Sequence, residues 1–238
     1  VASGARVLAW DTRDEARALV ADKAELVDPL TVDLHGYDGV VVSPGVPLNR
    51  HPIADKAQTD GVPLIGDIEL FALARPCLPA HRVVGITGTN GKSTTTALVH
   101  HIIETAGIPT QMGGNIGLPI LGQEPLPEGG VYVLELSSYQ IDLTQSLDCD
   151  VAVLLNITPD HLDRYDGFEG YCASKARLFA MQSAGHVAVI AQDDEPSRTI
   201  AAHVPGRLVA VSADAIDPAV QARWRALQGP HNAQNVAV

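Results

Sequence analysis

The stretch Arg82-Val-Val-Gly-Ile-Thr-Gly-Thr-Asn-Gly-Lys-Ser-Thr94 decides the fold class of this chain. Its first part, up to Thr87, is a short aliphatic run that predicts a buried strand. A glycine-rich turn follows over Gly88–Thr94, and residues 93–106 are predicted to form a helix that ends at Gly107. A strand, a glycine-rich turn and a helix in this order predict an α/β unit with its turn at the carboxyl end of the strand.

The turn has the composition of a phosphate-binding loop. Gly88 and Gly91 allow a backbone path along which N–H groups and the helix N-terminus surround phosphate oxygens. Lys92 supplies a charge for the outer phosphates, and a hydroxyl at the position of Ser93 is a Mg²⁺ ligand in such loops. The spacing Gly-x-x-Gly-Lys-Ser is two residues shorter than the common pattern, because Ile86 stands where the first glycine would be. The alternative is an ordinary glycine-rich turn with an exposed lysine.

Strands and helices alternate on both sides of this turn, which predicts parallel βαβ units. The predicted strands cover residues 5–10, 39–43, 62–65, 131–136, 150–155 and 186–190, and the predicted helices cover 13–22, 50–60, 67–74 and 168–183. We expect Asp67 to cap the helix that begins there.

The segment Arg75-Pro-Cys-Leu-Pro79 is predicted to be a linker, since two prolines interrupt both helix and strand. We therefore predict an α/β protein with a partial Rossmann-like domain over 1–77 and a central P-loop ATPase domain over 78–238, whose sheet is mostly parallel. The chain begins at Val1 without methionine and stops at Val238 inside a predicted helix. We expect both domains to be incomplete at these ends.

Composition excludes several classes of function. The chain has 238 residues, of which 46% are hydrophobic, and a formal net charge of −12. An acidic balance argues against nucleic acid or an anionic membrane as partner, although a phosphate site built from backbone N–H groups remains possible. Three cysteines without a spacing pattern indicate a reducing compartment rather than a disulfide framework or zinc site. No apolar run reaches about 18 residues, so we expect no transmembrane helix.

Two further positions lie where strands of an α/β sheet present ligands. Glu135 ends a predicted strand, where a carboxylate can hold Mg²⁺ against phosphates, and its alternative role is to cap a neighbouring helix. Asp11, with Thr12 and Arg13, follows the first predicted strand. There Asp11 can accept a hydrogen bond from a nucleoside and Arg13 can pair with pyrophosphate, while the alternative for Asp11 is a helix N-cap.

Several segments resemble the Mur ligase family, and the phosphate loop is also similar to that of folylpolyglutamate synthases. Those that resemble the central Mur domain are Gly88–Thr94, Gly113–Gly117, Leu134–Gln140 and Asn156–Tyr165. Those that resemble one branch of the family are Asp11–Arg13, Ser43–Gly45 and Gly66–Phe71. The resemblance runs in order along nearly the whole chain.

The resemblance implies a three-domain enzyme of peptidoglycan precursor synthesis in the bacterial cytoplasm. Such an enzyme uses ATP to convert a substrate carboxylate into an acyl phosphate, which the amine of an incoming amino acid attacks. The branch implies UDP-N-acetylmuramoyl-L-alanine and D-glutamate as substrates, and we expect a monomer. The family's C-terminal domain and the first strand-turn of its N-terminal domain have no counterpart here. The alternatives are a sister ligase, a folate ligase, and an inactive nucleotide-binding fragment.

The resemblance also implies the catalytic and metal-binding residues. The implied catalytic set is Lys92, Glu135, His161 and Lys175. Two Mg²⁺ ions are implied, one held by Ser93 and Glu135 and the other by His161 and a carbamylated Lys175. Without the resemblance, Lys175 would be taken for an ordinary solvated helix lysine. Asp160 and Asp163 are placed either to orient His161 or to cap the helix that follows.

The remaining implied residues bind the two substrates. The ATP-binding set is Gly88, Thr89, Asn90, Gly91, Lys92, Ser93 and Thr94 in the loop, with Asn232 and Asn235 of the segment His231-Asn-Ala-Gln-Asn235. The set for the UDP-sugar substrate is Asp11, Thr12, Arg13, Ser43, Gly45, Asn115 and His161. Asn115 lies between glycines, in a segment predicted to be a loop, where an asparagine also suits a turn with positive φ.

Overall fold

A computed structural model describes residues 4–238, and the chain divides into two compact units, one up to Ile65 and one from Gly66. The first three residues of the predicted domain 1–77 lie outside the described residues. None of the helices within 4–238 is both long and apolar enough to cross a membrane.

The first unit is built from two small parallel βαβ arrangements. Its elements are β1 (Leu8–Ala9), α1 (Asp14–Ala18), β2 (Glu25–Leu26), β3 (Val40–Val41), α2 (Ile53–Thr59) and β4 (Leu64–Ile65). Strand β1 pairs with β2 and β3 pairs with β4, both in parallel. A small core of Leu34, Ile53 and Val62 lies beneath them, since each presents an apolar side chain away from water.

The second unit carries a six-stranded sheet covered by helices. Its strands are β5 (His81–Thr87), β6 (Thr110–Gly114), β7 (Gly130–Glu135), β8 (Val151–Leu154), β9 (Val187–Ala191) and β10 (Arg207–Val211). Its helices are α3 (Asp67–Ala74), α4 (Lys92–Thr105), α5 (Ser138–Asp142), α6 (Gly167–Ala180), α7 (Glu195–Ala201), α8 (Pro218–Gln221) and α9 (Pro230–Ala237), with short 3₁₀ turns at Arg75–Cys77, Ile120–Gly122 and Ala213–Ala215. The predicted α/β class is therefore confirmed.

The strand order is β10-β9-β8-β5-β7-β6, and every pairing found in this sheet is parallel. Parallel sheets need cover on both faces, and two apolar clusters supply it. One cluster includes Phe71, Leu134 and Leu178, and the other includes Ile86 and Val153.

The central strand β5 determines which loops meet. It lies between β7 and β8, with Ile86 opposite Glu135 and Thr87 opposite Leu154. Because all three strands run the same way, their carboxyl ends share one edge of the sheet. The glycine-rich loop after Thr87, Glu135 and the loop after Leu154 therefore lie side by side, at the kind of edge where open α/β sheets bind ligands.

Helix α3 packs within the second unit, although the sequence analysis assigned it to the first domain. The carboxylate of Glu69 accepts hydrogen bonds from Gln145 N at 2.6 Å and Ser146 N at 3.0 Å, and Phe71 lies in the core of the second unit. The compact units thus divide before α3, while the domain boundary at 77/78 stays a prediction. The expected cap at Asp67 is wrong, because Gly66 is the N-cap of α3 and Asp67 is its first residue.

Candidate functional site

The loop Gly88–Thr94 wraps around the N-terminus of α4. Gly91 is the N-cap of α4 and has φ +85°, a conformation that suits glycine because it has no Cβ. A Cβ at Gly91 would also collide with Oδ1 of Asn235, whose Cγ would lie 3.0 Å away. Ser93 and Thr94 occupy the exposed first turn of α4. The loop therefore has the backbone of a phosphate cradle, and helix α9 is seated directly against it.

Lys92 folds back over the loop that precedes it. Its Nζ donates to Gly88 O at 3.0 Å and to Thr89 O at 2.9 Å. Burial lowers the pKa of Lys92, while the nearby carboxylates of Glu135 and Asp160 act to raise it. The ammonium group is thus held at the loop by carbonyl oxygens, where an anionic ligand would be a stronger partner.

Glu135 ends β7 with one carboxylate oxygen bonded and one without a partner. Its side chain is buried, and its Oε1 accepts from Asn115 Nδ2 at 2.9 Å. Its Oε2 is buried and has no hydrogen-bond partner. An unpaired buried carboxylate oxygen is costly unless a cation or donor meets it, so the group fits a divalent cation. Ser137 caps α5 in a capping box with Gln140, so the alternative role of Glu135 as a helix cap is wrong.

Asn115 lies in the loop that follows strand β6, as the sequence predicted. Its backbone N–H donates to Glu135 O at 2.8 Å, beside the side-chain bond already described. Asn115 and Glu135 are therefore joined by two hydrogen bonds at the ends of neighbouring strands, and the amide fixes the direction of the carboxylate.

Lys175 is a buried residue of α6, and the alternative of a solvated helix lysine is wrong. Only 1% of it is exposed, its Nζ donates to Gly88 O at 3.0 Å, and it lies 4.6 Å from the centre of the Tyr171 ring. Burial, followed by the repulsion from Lys92, lowers the pKa of Lys175 to about 7. A lysine in this state is an amine for much of the time near neutral pH, and amines are nucleophiles.

His161 has an unusual backbone conformation in the loop after β8. It is the one non-glycine residue of the described chain with positive φ, at +53°. Its ring centre lies 4.9 Å from that of Tyr139, and its N–H donates to Asp160 Oδ1 at 2.8 Å. Asp166 is the N-cap of α6, so the alternative that Asp160 and Asp163 cap this helix is wrong. The positive φ and the contact with the Tyr139 ring thus orient a partly exposed histidine in the loop after β8, where it could serve as a ligand.

Asn156 anchors the phosphate loop, and the sequence analysis did not single it out. Its backbone O accepts from Thr89 N at 2.9 Å, its Oδ1 accepts from Asn90 N at 2.9 Å, and its Nδ2 donates to Asn90 O at 3.2 Å. The Tyr171 hydroxyl lies 3.1 Å from Thr89 Oγ1 and adds a second support. The available signal was its place just after β8, at the same edge of the sheet as Glu135 at the end of β7.

Asn235 of α9 lies against the phosphate loop and is hydrogen-bonded to Asn232 of the same helix. Asn235 is 5% exposed, lies against Gly91, and donates from Nδ2 to Asn232 Oδ1 at 3.1 Å. Asn232 is half-buried and donates to Gln228 O at 3.0 Å. The fold thus brings Asn235 to the loop, with Asn232 one turn earlier on the same helix.

The first unit contains a cavity of about 430 Å³ that some of the predicted substrate residues line. Asp11, Thr12 and Ser43 line it, while Arg13 and Gly45 are not among its lining residues. Hydrogen bonds from the Arg13 side chain and backbone lower the pKa of Asp11 to about 2. Arg13 is the N-cap residue of α1, so the alternative of Asp11 as that N-cap is wrong. The Asp11–Arg13 pair instead forms a local ion pair beside the cavity.

Comparisons with known proteins match the sequence of this chain to one family. A family model described as the Mur ligase middle domain matches residues 86–238. A UDP-N-acetylmuramoylalanine–D-glutamate ligase from Sphingopyxis alaskensis is 70% identical over 99% of this chain and 54% of its own length. A ligase of the same name from Novosphingobium aromaticivorans is 65% identical over 100% of this chain and 54% of its own. The chain therefore spans about half the length of the curated relatives it matches.

A solved structure supports the fold. The UDP-N-acetylmuramate:L-alanyl-gamma-D-glutamyl-meso-diaminopimelate ligase from Neisseria meningitides superimposes with a TM-score of 0.56 at 15% identity, covering 86% of this chain and 71% of its own. At this identity the likeness concerns the fold alone. From the family model and the identity to curated relatives, the chain belongs to the Mur ligase family and contains that family's middle domain.

Proposed function

We propose that this chain belongs to an enzyme that joins D-glutamate to UDP-N-acetylmuramoyl-L-alanine with ATP, in peptidoglycan precursor synthesis in the bacterial cytoplasm. The names of relatives at 70% and 65% identity support this substrate pair. The alternatives of a sister ligase or a folate ligase find no such support among those relatives.

The observation that carries the chemistry is the buried Glu135 beside the phosphate loop. Its unpartnered Oε2 is a site for a divalent cation at the edge where Lys92 lies. We propose that Ser93 and Glu135 hold one Mg²⁺ ion and that His161 and Lys175 hold a second. When bound, Mg²⁺ supplies positive charge that offsets the repulsion between a polyphosphate and a substrate carboxylate.

The chain's own groups would bind and align the reactants. Lys92 and the N–H groups of Gly88–Thr94 would hold the ATP phosphates, with Asn235 and Asn232 of α9 towards the nucleoside. Asn115 holds the Glu135 carboxylate in one direction and lies where the substrate's reacting end would enter. The cavity lined by Asp11, Thr12 and Ser43 would take the UDP group, with Arg13 and Gly45 at its border.

The reaction would proceed in two displacements. An oxygen of the substrate carboxylate attacks the γ-phosphorus of ATP, the bond to the bridging oxygen breaks, and ADP leaves. The amine of D-glutamate then attacks the carbonyl carbon of the acyl phosphate, phosphate leaves, and the nitrogen loses a proton. Positioning and electrostatic stabilisation do most of the work in such transfers, and Lys92 serves both.

We further propose that Lys175 is carbamylated. With a pKa of about 7, its amine is partly neutral at physiological pH and can attack carbon dioxide, losing a proton to give a carbamate anion. The carbamate replaces a cation by two oxygen ligands, which suits a Mg²⁺ ion better than an ammonium group does. Its burial between Gly88 and Tyr171 would protect the modified side chain from solvent.

The test of the proposed function is release of phosphate from ATP by the protein as its gene encodes it. UDP-N-acetylmuramoyl-L-alanine is supplied with D-glutamate, L-alanine or diaminopimelate, and a folate is supplied with glutamate. Stimulation only by D-glutamate is the expected result, and stimulation by another amino acid or with the folate would replace the proposal by a sister activity. Binding of ATP without turnover in any mixture would indicate a nucleotide-binding module.

Lys92→Ala tests the role of the loop in the same assay. We expect turnover to fall by at least about a hundredfold, because positioning and charge at the phosphates are lost together. Lys23→Ala is the matched control, since Lys23 is an exposed lysine outside the site. Near-normal turnover of Lys92→Ala would contradict the assignment.

A further inference from the structure

A line of side chains runs from the end of β9 through helix α9 to the phosphate loop. Gln234 of α9 is 7% exposed, and its Nε2 donates to Asp193 Oδ2 at 2.8 Å. Its Oε1 accepts from Asn156 Nδ2 at 2.8 Å, and Asn156 in turn holds the peptide groups of Asn90. We call Asp193, Gln234 and Asn156 the amide relay.

The direction of every bond in the amide relay follows from its first member. An ionised carboxylate can only accept hydrogen bonds, so Asp193 requires the NH₂ group of Gln234 on its side. The side-chain carbonyl oxygen of Gln234 must then face Asn156, and the NH₂ group of Asn156 must donate to it. Asn156 is left with its Oδ1 directed at the N–H of Asn90, where the observed bond is 2.9 Å.

Asp193 is itself held in place from the far side. Its Oδ1 accepts from Ser212 Oγ at 2.7 Å and from Ala213 N at 3.2 Å, at the start of the turn after β10. Two donors other than Gln234 thus fix the position of the Asp193 carboxylate. Helix α9 reaches the loop twice, through Gln234 and Asn156 and through the contact of Asn235 with Gly91.

We propose that Asp193 and Gln234 are positioning residues, which reinforce the direction of the Asn156 amide and so help to hold the Asn90 peptide of the phosphate loop. Within residues 4–238 neither residue has a hydrogen bond to Gly88–Thr94, and both act through Asn156. Without them the Asn156 amide keeps only its two bonds to the Asn90 peptide, and it holds that peptide less firmly. Asp193 and Gln234 thus affect the conformation of the phosphate loop, and only the expected binding of ATP to that loop rests on the proposed function.

The test uses two substitutions of Gln234 that differ in whether a change at Asp193 can repair them. Gln234→Glu places two carboxylates at hydrogen-bond distance, which at pH 8 repel each other. Asp193→Asn repairs this variant, because an NH₂ group at 193 can donate to a carboxylate at 234, whose second oxygen still accepts from Asn156. Gln234→Met removes both bonds, and Asp193→Asn has nothing to repair there.

The first measurement is amide hydrogen exchange of Asn90 in the chain without nucleotide. We expect exchange to be about three- to tenfold faster in Gln234→Glu and in Gln234→Met, the effect of losing one net hydrogen bond. Adding Asp193→Asn should return the glutamate variant to within about twofold of the parent and leave the methionine variant fast. Gln58→Glu, an exposed glutamine of α2, controls for the added charge and should leave Asn90 unchanged.

The second measurement is the dissociation constant of Mg-ATP for the parent and the five variants: Gln234→Glu, Gln234→Met, each of these combined with Asp193→Asn, and Gln58→Glu. We expect the variants with the fastest exchange at Asn90 to bind Mg-ATP most weakly. Unchanged exchange in both Gln234 variants, or a failure of Asp193→Asn to distinguish them, would overturn the amide relay. If Gln234→Glu does not fold, a folded double variant supports the relay and an unfolded one overturns it. If the exchange pattern holds and the parent binds no Mg-ATP, the proposed function fails while the relay stands.

Discussion

Replacement of Gly91 by alanine separates two contributions to the shape of the phosphate loop. The backbone at position 91 has a φ of +85°, which residues with a Cβ rarely adopt, and the new Cβ would collide with the side-chain amide of Asn235. Gly107 provides a matched control at the other end of the same helix, because its φ is +76° and a Cβ there would meet nothing within 4 Å. The two variants share the backbone strain, and only the first displaces a neighbour.

The magnitudes follow from these two contributions. A left-handed conformation costs an alanine about 1–2 kcal/mol, and this applies to both positions. Displacing Asn235 also removes its 3.1 Å hydrogen bond to Asn232, a net loss of about 1 kcal/mol. Gly91→Ala should therefore unfold about 2–4 °C below Gly107→Ala. Since Asn235 is a proposed nucleotide ligand, its displacement should weaken Mg-ATP binding about tenfold in Gly91→Ala alone.

Thermal unfolding followed by circular dichroism, and titration with Mg-ATP, measure both effects on the same samples. The expected order of unfolding temperature is the parent, Gly107→Ala and then Gly91→Ala. Equal unfolding temperatures and equal affinities for the two variants would refute the idea that α9 is pressed against the loop. A loss of affinity in Gly107→Ala as large as in Gly91→Ala would refute the assignment of the effect to Asn235.

Three further predictions concern titratable groups. Glu135→Gln should raise the unfolding temperature without Mg²⁺, because a neutral amide replaces a buried carboxylate that has one oxygen without a partner, and should abolish the Mg²⁺ dependence of ATP binding measured by titration. In metal-free chain with ¹³C-bicarbonate, the carbamate resonance of Lys175 should grow as the pH rises through about 7; growth only near pH 10 would contradict its lowered pKa. Burial raises the pKa of Asp148, but hydrogen bonds from Ser183 and His186 outweigh it and leave the pKa lowered. Ionised Asp148 therefore stabilises the fold at pH values above the pKa that this group has in the unfolded chain. This contribution is lost as the pH falls through the pKa of Asp148 in the folded chain. Asp148→Asn should therefore lower the unfolding temperature at pH 7 more than at pH 3.

The central elements could be predicted from the sequence because their local signals agree with their place in the fold. The aliphatic run before the loop became β5, and the helix predicted over 93–106 became α4 at Lys92–Thr105, with Gly107 after its end. In both cases one segment contains the apolar pattern, the turn residues and the end signal, so no distant contact was needed to place it.

Strand β6 could not be predicted, because its segment Thr110-Gln-Met-Gly-Gly114 carries two glycines and little β-propensity. It is a strand because β7 supplies a complete parallel ladder beside it. The same limit applies to Lys175, whose burial depends on residues far away in the chain. Its place in the site followed from the family resemblance, and no property of α6 alone distinguishes it from a solvated lysine.

The amide relay was beyond sequence reasoning for a different reason. Gln234 stands inside a segment whose two asparagines drew attention, and Asp193 is one acidic residue among 28. What links them is the donor and acceptor order of side chains from three separate segments, which appears only once the strands are paired.

The contact of α9 with the phosphate loop has a consequence for the order of events during synthesis. Strand β5 and its loop leave the ribosome early, but the helix that supports Gly91 is made about 140 residues later, which takes on the order of ten seconds or more in a cell. During that interval the nascent chain displays a phosphate loop without its final support. A growing chain should therefore gain its full affinity for nucleotide late, when α9 docks.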